Sequence, residues 1–186
     1  MRHVLLSMIL SLACSGLHAE ETALEVGLLE LVNYHEYSAS LLSAGQPTRE
    51  QFPAIRTAGV EAIINLAPLT DPASLADEQQ IVEGLGIAYT HIPVDWDHPG
   101  AADVGRFLAA MQTYQGKRIL VHCYAGARAS AFVYLYRLGV QGAARDEAHA
   151  TLVDIWDNNV GYELDKVAQW LTFIAAEEAR IADAAP

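Results

Sequence analysis

The sequence is poor in cysteine, poor in positive charge and short of long apolar runs. Its 186 residues carry two cysteines, Cys14 and Cys123, and 11 Lys and Arg against 23 Asp and Glu, a formal net charge of −12. An acidic chain with no basic run excludes the electrostatic footprint of a nucleic-acid binder or of a protein held on anionic lipid. Any anion it binds must be drawn by a local site, against the field of the whole molecule. The most apolar run, Val4–Ala13, is shorter than the roughly 20 residues that span a bilayer. No later segment is long and apolar enough to span either. What the chain does have is hydrophobic residues at 52% and charged residues at 18%, which argues against disorder. The length suits one domain with a real core.

The start of the chain reads as a leader. Met1-Arg2-His3 is a short positive region, Val4–Ala13 an apolar one, and Leu17-His18-Ala19 offers a cleavage site before Glu20. A signal peptide over 1–19 predicts an exported protein, periplasmic in a Gram-negative cell, with no stable membrane insertion after cleavage. Lipid anchoring at Cys14 is the weaker alternative, because Ser11 stands where a lipobox wants an aliphatic residue. Cleavage leaves Cys123 as the only thiol. A lone cysteine in an oxidising compartment is either buried and inert or kept as a reactive thiol.

Beyond the leader, Glu20–Ser38 carries Leu24, Leu28, Leu29, Leu31 and Val32, the spacing of a short amphipathic helix over 20–39. The main domain is expected over 40–182. Leu41–Ala44 reads as a short strand ending at the turn Gly45-Gln46-Pro47, and Thr48 with Gln51 makes a capping-box pattern before a helix. Ala62–Leu66 is a strand buried on both faces by composition. A helix follows over Leu75–Leu85, then a strand over Ile87–Pro93. Val104, Phe107, Leu108 and Met111 set a helix over Asp103–Tyr114. Arg118–Val121 is a strand ending at His122-Cys123, with a further helix from Ser130 and two more, about Ala143–Asp154 and Leu164–Ala182. Strands alternating with helices predict an α/β fold, a mostly parallel central sheet flanked by helices on both faces. Ligands of such sheets bind beyond the carboxyl ends of the strands, which is where His122-Cys123 falls.

The loop after Cys123 is the chemical signal. Tyr124, Ala125, Gly126 and Ala127 are small apart from the tyrosine, so their backbone N–H groups can turn inward as a nest for an anion. The next helix adds the positive end of its dipole. A thiol in that bowl is favoured as the thiolate, a strong nucleophile that needs no separate base. Arg128 supplies a planar fork for two oxygens of a phosphate. Ser130 is placed to donate a hydrogen bond to the sulfur.

His122-Cys123-Tyr124-Ala125-Gly126-Ala127-Arg128-Ala129-Ser130 resembles the signature of protein tyrosine and dual-specificity phosphatases, His-Cys-x-x-Gly-x-x-Arg-Ser/Thr. His122, Cys123, Gly126 and Ser130 fall in register, while the arginine comes one residue early and Ala129 takes its usual place. The wider chain resembles a bacterial phosphatase-like family once called a domain of unknown function, through Ala44-Gly45-Gln46-Pro47-Thr48, Ile64-Asn65-Leu66, Ile92-Pro93-Val94-Asp95 and Ser130-Ala131-Phe132, over about residues 40–160. The resemblance implies a cysteine-phosphatase fold and hydrolysis of a phosphate monoester through a phosphocysteine. Cys123 would be the nucleophile, with Arg128 and the loop from His122 to Ser130, including Tyr124, Ala125, Gly126, Ala127 and Ala129, around the phosphate. It implies that His122 hydrogen-bonds the loop backbone. The general acid would come from the loop Val94–Gly100, where Asp95 and Asp97 are the candidates and His98 a third. Trp96 is expected to line the substrate cleft. Gln46 is assigned to a turn, and Trp156 and Trp170 to the core. The implied partner is a phosphorylated protein or small molecule; no cofactor is expected, and His91 and His149 lack metal-ligand spacing to Cys123. Two alternatives stand beside this reading. Cys-x-x-Gly-x-Arg also resembles the loop of rhodanese sulfurtransferases, and the displaced arginine suits an oxyanion-binding module that lost catalysis.

Overall fold

A computed structural model describes residues 27–184. The expected leader, its cleavage site and Cys14 lie outside the described residues. Among the described residues no helix is long and apolar enough to cross a membrane.

Five strands of four residues each form one sheet: β1 His35–Ser38, β2 Leu41–Ala44, β3 Ala62–Asn65, β4 Ala88–His91 and β5 Ile119–His122, in the order β1-β2-β5-β3-β4. β1 pairs antiparallel with β2, and every other pairing is parallel. The helices are α1 Phe52–Thr57, α2 Glu78–Gly84, α3 Ala101–Thr113, α4 Ala127–Gly139, α5 Arg145–Asp154 and α6 Ala168–Ala184. α1 is entered through a 3-10 turn, Arg49–Gln51, where the Thr48 N–H donates to the Gln51 side chain at 2.9 Å, so the capping box read from the sequence forms. α5 runs on into a π-helical turn, Ile155–Val160.

Consecutive side chains of a strand face opposite ways, and the two cores follow that alternation. Leu41, Ala62, Ile64, Ile119 and Val121 pack with Phe107 of α3, Phe132 of α4 and Trp170 and Phe173 of α6. Leu42, Ala44, Ile63 and Leu120 pack on the other face with Phe52 and Ile55 of α1 and Val82 of α2. The fold is therefore the expected α/β arrangement, a mostly parallel sheet covered on both faces. α4 is buried from Ala127 to Leu135, the central helix of the thicker layer.

The N-terminal segment departs from its expected helix. Within the described residues, 27–29 are helical, but His35–Ser38 is an edge strand. His35-Glu36-Tyr37-Ser38 alternates between half-buried and exposed, the period of a strand, and takes its hydrogen bonds from β2.

Candidate active site

β5 delivers Cys123 to the carboxyl end of the sheet, flanked by β2 and β3. The chain then turns into α4 through Gly126, whose φ of +97° is left-handed. Glycine is needed twice over there, since a Cβ would also stand 3.3 Å from the Asn33 Cβ. The reversal turns the Gly126 N–H onto the Cys123 sulfur at 3.2 Å. Two contacts from elsewhere fix the loop: the Asn33 side chain donates to the Ala125 carbonyl at 2.7 Å, and the Gln46 N–H donates to the Tyr124 carbonyl at 3.0 Å. Gly45 permits that approach, because a Cβ on it would lie 3.1 Å from the Tyr124 carbonyl oxygen.

Cys123 and Arg128 line one cavity of about 160 Å³, together with Asp71, Trp96, Tyr124, Ala125, Ala127 and Tyr162. Arg128 stands in the first turn of α4 and is 4% exposed. One Nη donates to the Val94 carbonyl at 3.0 Å, the other donates to the Asp71 carboxylate, and the guanidinium lies 5.8 Å from the centre of the Trp96 ring. The early arginine thus reaches the same cavity as the sulfur, because the helix begins at Ala127 and carries Arg128 round to that side. Trp96 is held in turn. Its ring stacks on Trp156 at 5.8 Å and lies 5.6 Å from Tyr162, and its carbonyl accepts the Trp170 indole N–H at 3.1 Å. Trp156 and Trp170 are fully buried, as expected of core residues.

Several expected site residues lie elsewhere. Ser130 does not reach the sulfur: its hydroxyl donates to the Ala127 carbonyl at 2.9 Å and accepts the Trp156 indole N–H at 3.1 Å. A serine in a first helical turn has a backbone carbonyl in easy reach. Ala129 is buried in α4 and does not line the cavity. Asp95 and Asp97 are exposed, and neither lines it. Asp95 accepts the Asp97 N–H at 2.8 Å and lies 3.5 Å from His98 Nδ1, while Asp97 faces a separate groove against α6, with His98 and Phe173. The Asp97 N–H holds the Asp95 carboxyl below its usual range, with smaller help from His98.

His122 is also differently engaged. Its side chain points to the face opposite Cys123, where Nε2 lies 2.8 Å from a buried carboxylate oxygen of Glu78. The same carboxylate accepts hydrogen bonds from Gln46, Asn65 and Tyr89. Burial pushes the Glu78 carboxyl up, but the hydrogen bond and charge of His122, then Gln46 and Tyr89, outweigh it and hold the group below its usual range. Glu78 therefore ties together the ends of β3 and β5, the middle of β4 and the turn that follows β2. Gln46 belongs to this cluster as well as to its turn. The sequence does not mark out Glu78, the partner of His122, or Asp71, the carboxylate that lines the cavity. Its one available signal was their place in the segment between β3 and β4, at the carboxyl end of the sheet.

A buried cysteine that accepts a backbone N–H thus stands before a helix that brings an arginine to the same cavity. Residues 27–169 match the PTP-NADK family, described as "DSP-PTPase phosphatase fused to NAD+ Kinase", and the chain belongs to this phosphatase family, a family of hydrolases. A "Beta-lactamase hydrolase-like protein" of Xylella fastidiosa (strain Temecula1) is 30% identical over 145 residues, 76% of this chain and 32% of that protein. The chain thus spans about a third of the length of the curated relatives it matches. A crystal structure of a DUF442 protein from Shewanella putrefaciens CN-32 is 35% identical, with a TM-score of 0.72 over 83% of this chain and 94% of that one. P. aeruginosa TpbA in complex with pTyr shares the fold at 16% identity, with a TM-score of 0.61 over 81% of this chain and 91% of that one.

Proposed function

We propose that this chain hydrolyses a phosphate monoester through a phosphocysteine on Cys123. The observation that carries the reading is the shared cavity: a sulfur that accepts a loop N–H and a guanidinium on the next helix line the same space of about 160 Å³. A thiolate there attacks phosphorus in line, while Arg128 and the loop N–H groups hold the equatorial oxygens. A carboxyl group protonates the leaving oxygen, and water then cleaves the S–P bond, releasing phosphate and restoring the sulfur.

The aromatic walls formed by Trp96, Tyr124 and Tyr162 suit a flat leaving group, and the pTyr complex of TpbA supports an aryl phosphate as the first substrate to try. The assay is phosphate release from p-nitrophenyl phosphate. Cys123→Ser is expected to lose on the order of 10³-fold or more in kcat, with the fold intact by circular dichroism. Equal rates for wild type and variant sink the reading. Transfer of sulfur from thiosulfate to cyanide, with a persulfide on Cys123, would replace it with the sulfurtransferase; oxyanion binding without turnover would replace it with a binding module. Export belongs to the same proposal, supported by the leader-like pattern of residues 1–19, and cell fractionation tests it.

A further inference from the structure

We infer that Asp71 is the carboxyl group that protonates the leaving oxygen. The inference rests on the hydrolytic reading above and assigns a role within it. Among the described residues lining the cavity, Asp71 is the only carboxylate. It comes from the loop after β3, not from the loop after β4 that holds Asp95 and Asp97. It is half-buried, and its contact to Arg128 places it beside the group that must meet the phosphate. The rival carboxylates are committed elsewhere, Asp95 to the Asp97 N–H and Asp97 to the groove against α6.

The ion pair with Arg128 gives the order of events. A phosphate dianion offers the guanidinium a more highly charged partner than one carboxylate does, and Arg forks match phosphate oxygens well. The incoming dianion takes over the Nη group, and Asp71 is released toward the ester oxygen. Freed from Arg128, the Asp71 carboxylate takes up a proton from solvent, and it is this proton that it later gives to the leaving oxygen. Cys123 Sγ then forms the S–P bond, the P–O bond breaks, and its electron pair leaves on an oxygen that takes the proton from Asp71. In the second step Asp71, now a carboxylate, takes a proton from the attacking water. The S–P bond breaks, its electrons return to sulfur, and the products are an alcohol or phenol and inorganic phosphate.

The test uses two esters that differ in their need for a proton. The p-nitrophenolate anion leaves unaided; the phenolate anion of phenyl phosphate leaves poorly without protonation. Asp71→Asn is expected to lose on the order of 10²-fold in kcat on phenyl phosphate and far less on p-nitrophenyl phosphate. It is also expected to lose the alkaline limb of the pH–kcat profile. Asp71→Glu keeps a carboxyl and is expected to recover part of the phenyl phosphate rate. Where the Asn variant does not fold, the Glu variant decides, since a displaced carboxyl should still slow phenyl phosphate more than its nitro analogue. Equal losses on both esters, a gain in rate from removing a competitor for Arg128, or an alkaline limb that survives overturns the assignment. So does the ester-dependent loss in Asp95→Asn or Asp97→Asn, run alongside. A wild type that turns over neither ester overturns the hydrolytic reading itself and takes the assignment with it.

Discussion

Glu78 is 2% exposed and accepts hydrogen bonds from Gln46, Asn65, Tyr89 and His122. Its carboxyl is held below the ordinary value of 4.5, so the folded state favours the ionised form. A group depressed on folding contributes stability that is full above its unfolded value and is lost as pH falls through the folded one. The stability advantage of wild type over Glu78→Gln should therefore hold at neutral pH and shrink below about pH 4.5, measured by urea unfolding across that range. Glu78→Ala removes the acceptor from four donors and should cost about 3–5 kcal/mol at neutral pH. At this scale the sequence was half legible. Cys123, Gly126 and Arg128 are close in the chain, so their spacing alone brings them to one site. The partners of His122 and Arg128 lie 44 and 57 residues away. Only the folded sheet decides that His122 meets Glu78 and that Arg128 meets Asp71. Ser130 shows the same limit, since the indole that occupies its hydroxyl comes from 26 residues on.

The β5–loop–α4 unit depends on the backbone reversal at Gly126. Gly126→Ala forces a Cβ into a left-handed conformation 3.3 Å from Asn33. It should cost about 1–3 kcal/mol by thermal unfolding. Iodoacetamide labelling of the Cys123 peptide should change as well, because the Gly126 N–H is the sulfur's donor. Most elements were readable because each has a local cause. β2 has the bounds read from Leu41–Ala44, and β3 ends one residue before the run Ala62–Leu66 does. The expected helix from Ser130 starts earlier, at Ala127. Gly126 ends the loop there, and that shift is what lets the early arginine serve the site. The spacing before β1 predicts a helix because Leu28 and Leu31 do face a core, and the strand after them is too short to announce its own period. The π-helical turn that seats Trp156 against Ser130 has no sequence mark, since packing against α4 sets it.

The acidic balance acts on the molecule as a whole. A net charge of −12 repels a phosphate dianion from afar, whatever Arg128 does at contact. Salt screens that repulsion over a Debye length of about 10 Å at 0.1 M. Raising ionic strength from about 10 mM to about 150 mM should thus increase kcat/KM for a dianionic ester, with kcat little changed. A fall instead would show that local attraction dominates capture. The two-sided sheet was legible as a whole because near-continuous apolar strands between amphipathic helices have few other ways to bury themselves. The same layout divides the labour at the cavity. In the proposed mechanism anion capture and attack both fall to the short stretch from Cys123 to Arg128, whereas Asp71 arrives on a separate loop that no strand pairing constrains. On that reading, changes to this one loop retune which alcohols depart, while the contact of Asp71 with Arg128 carries part of each change into the grip on phosphate.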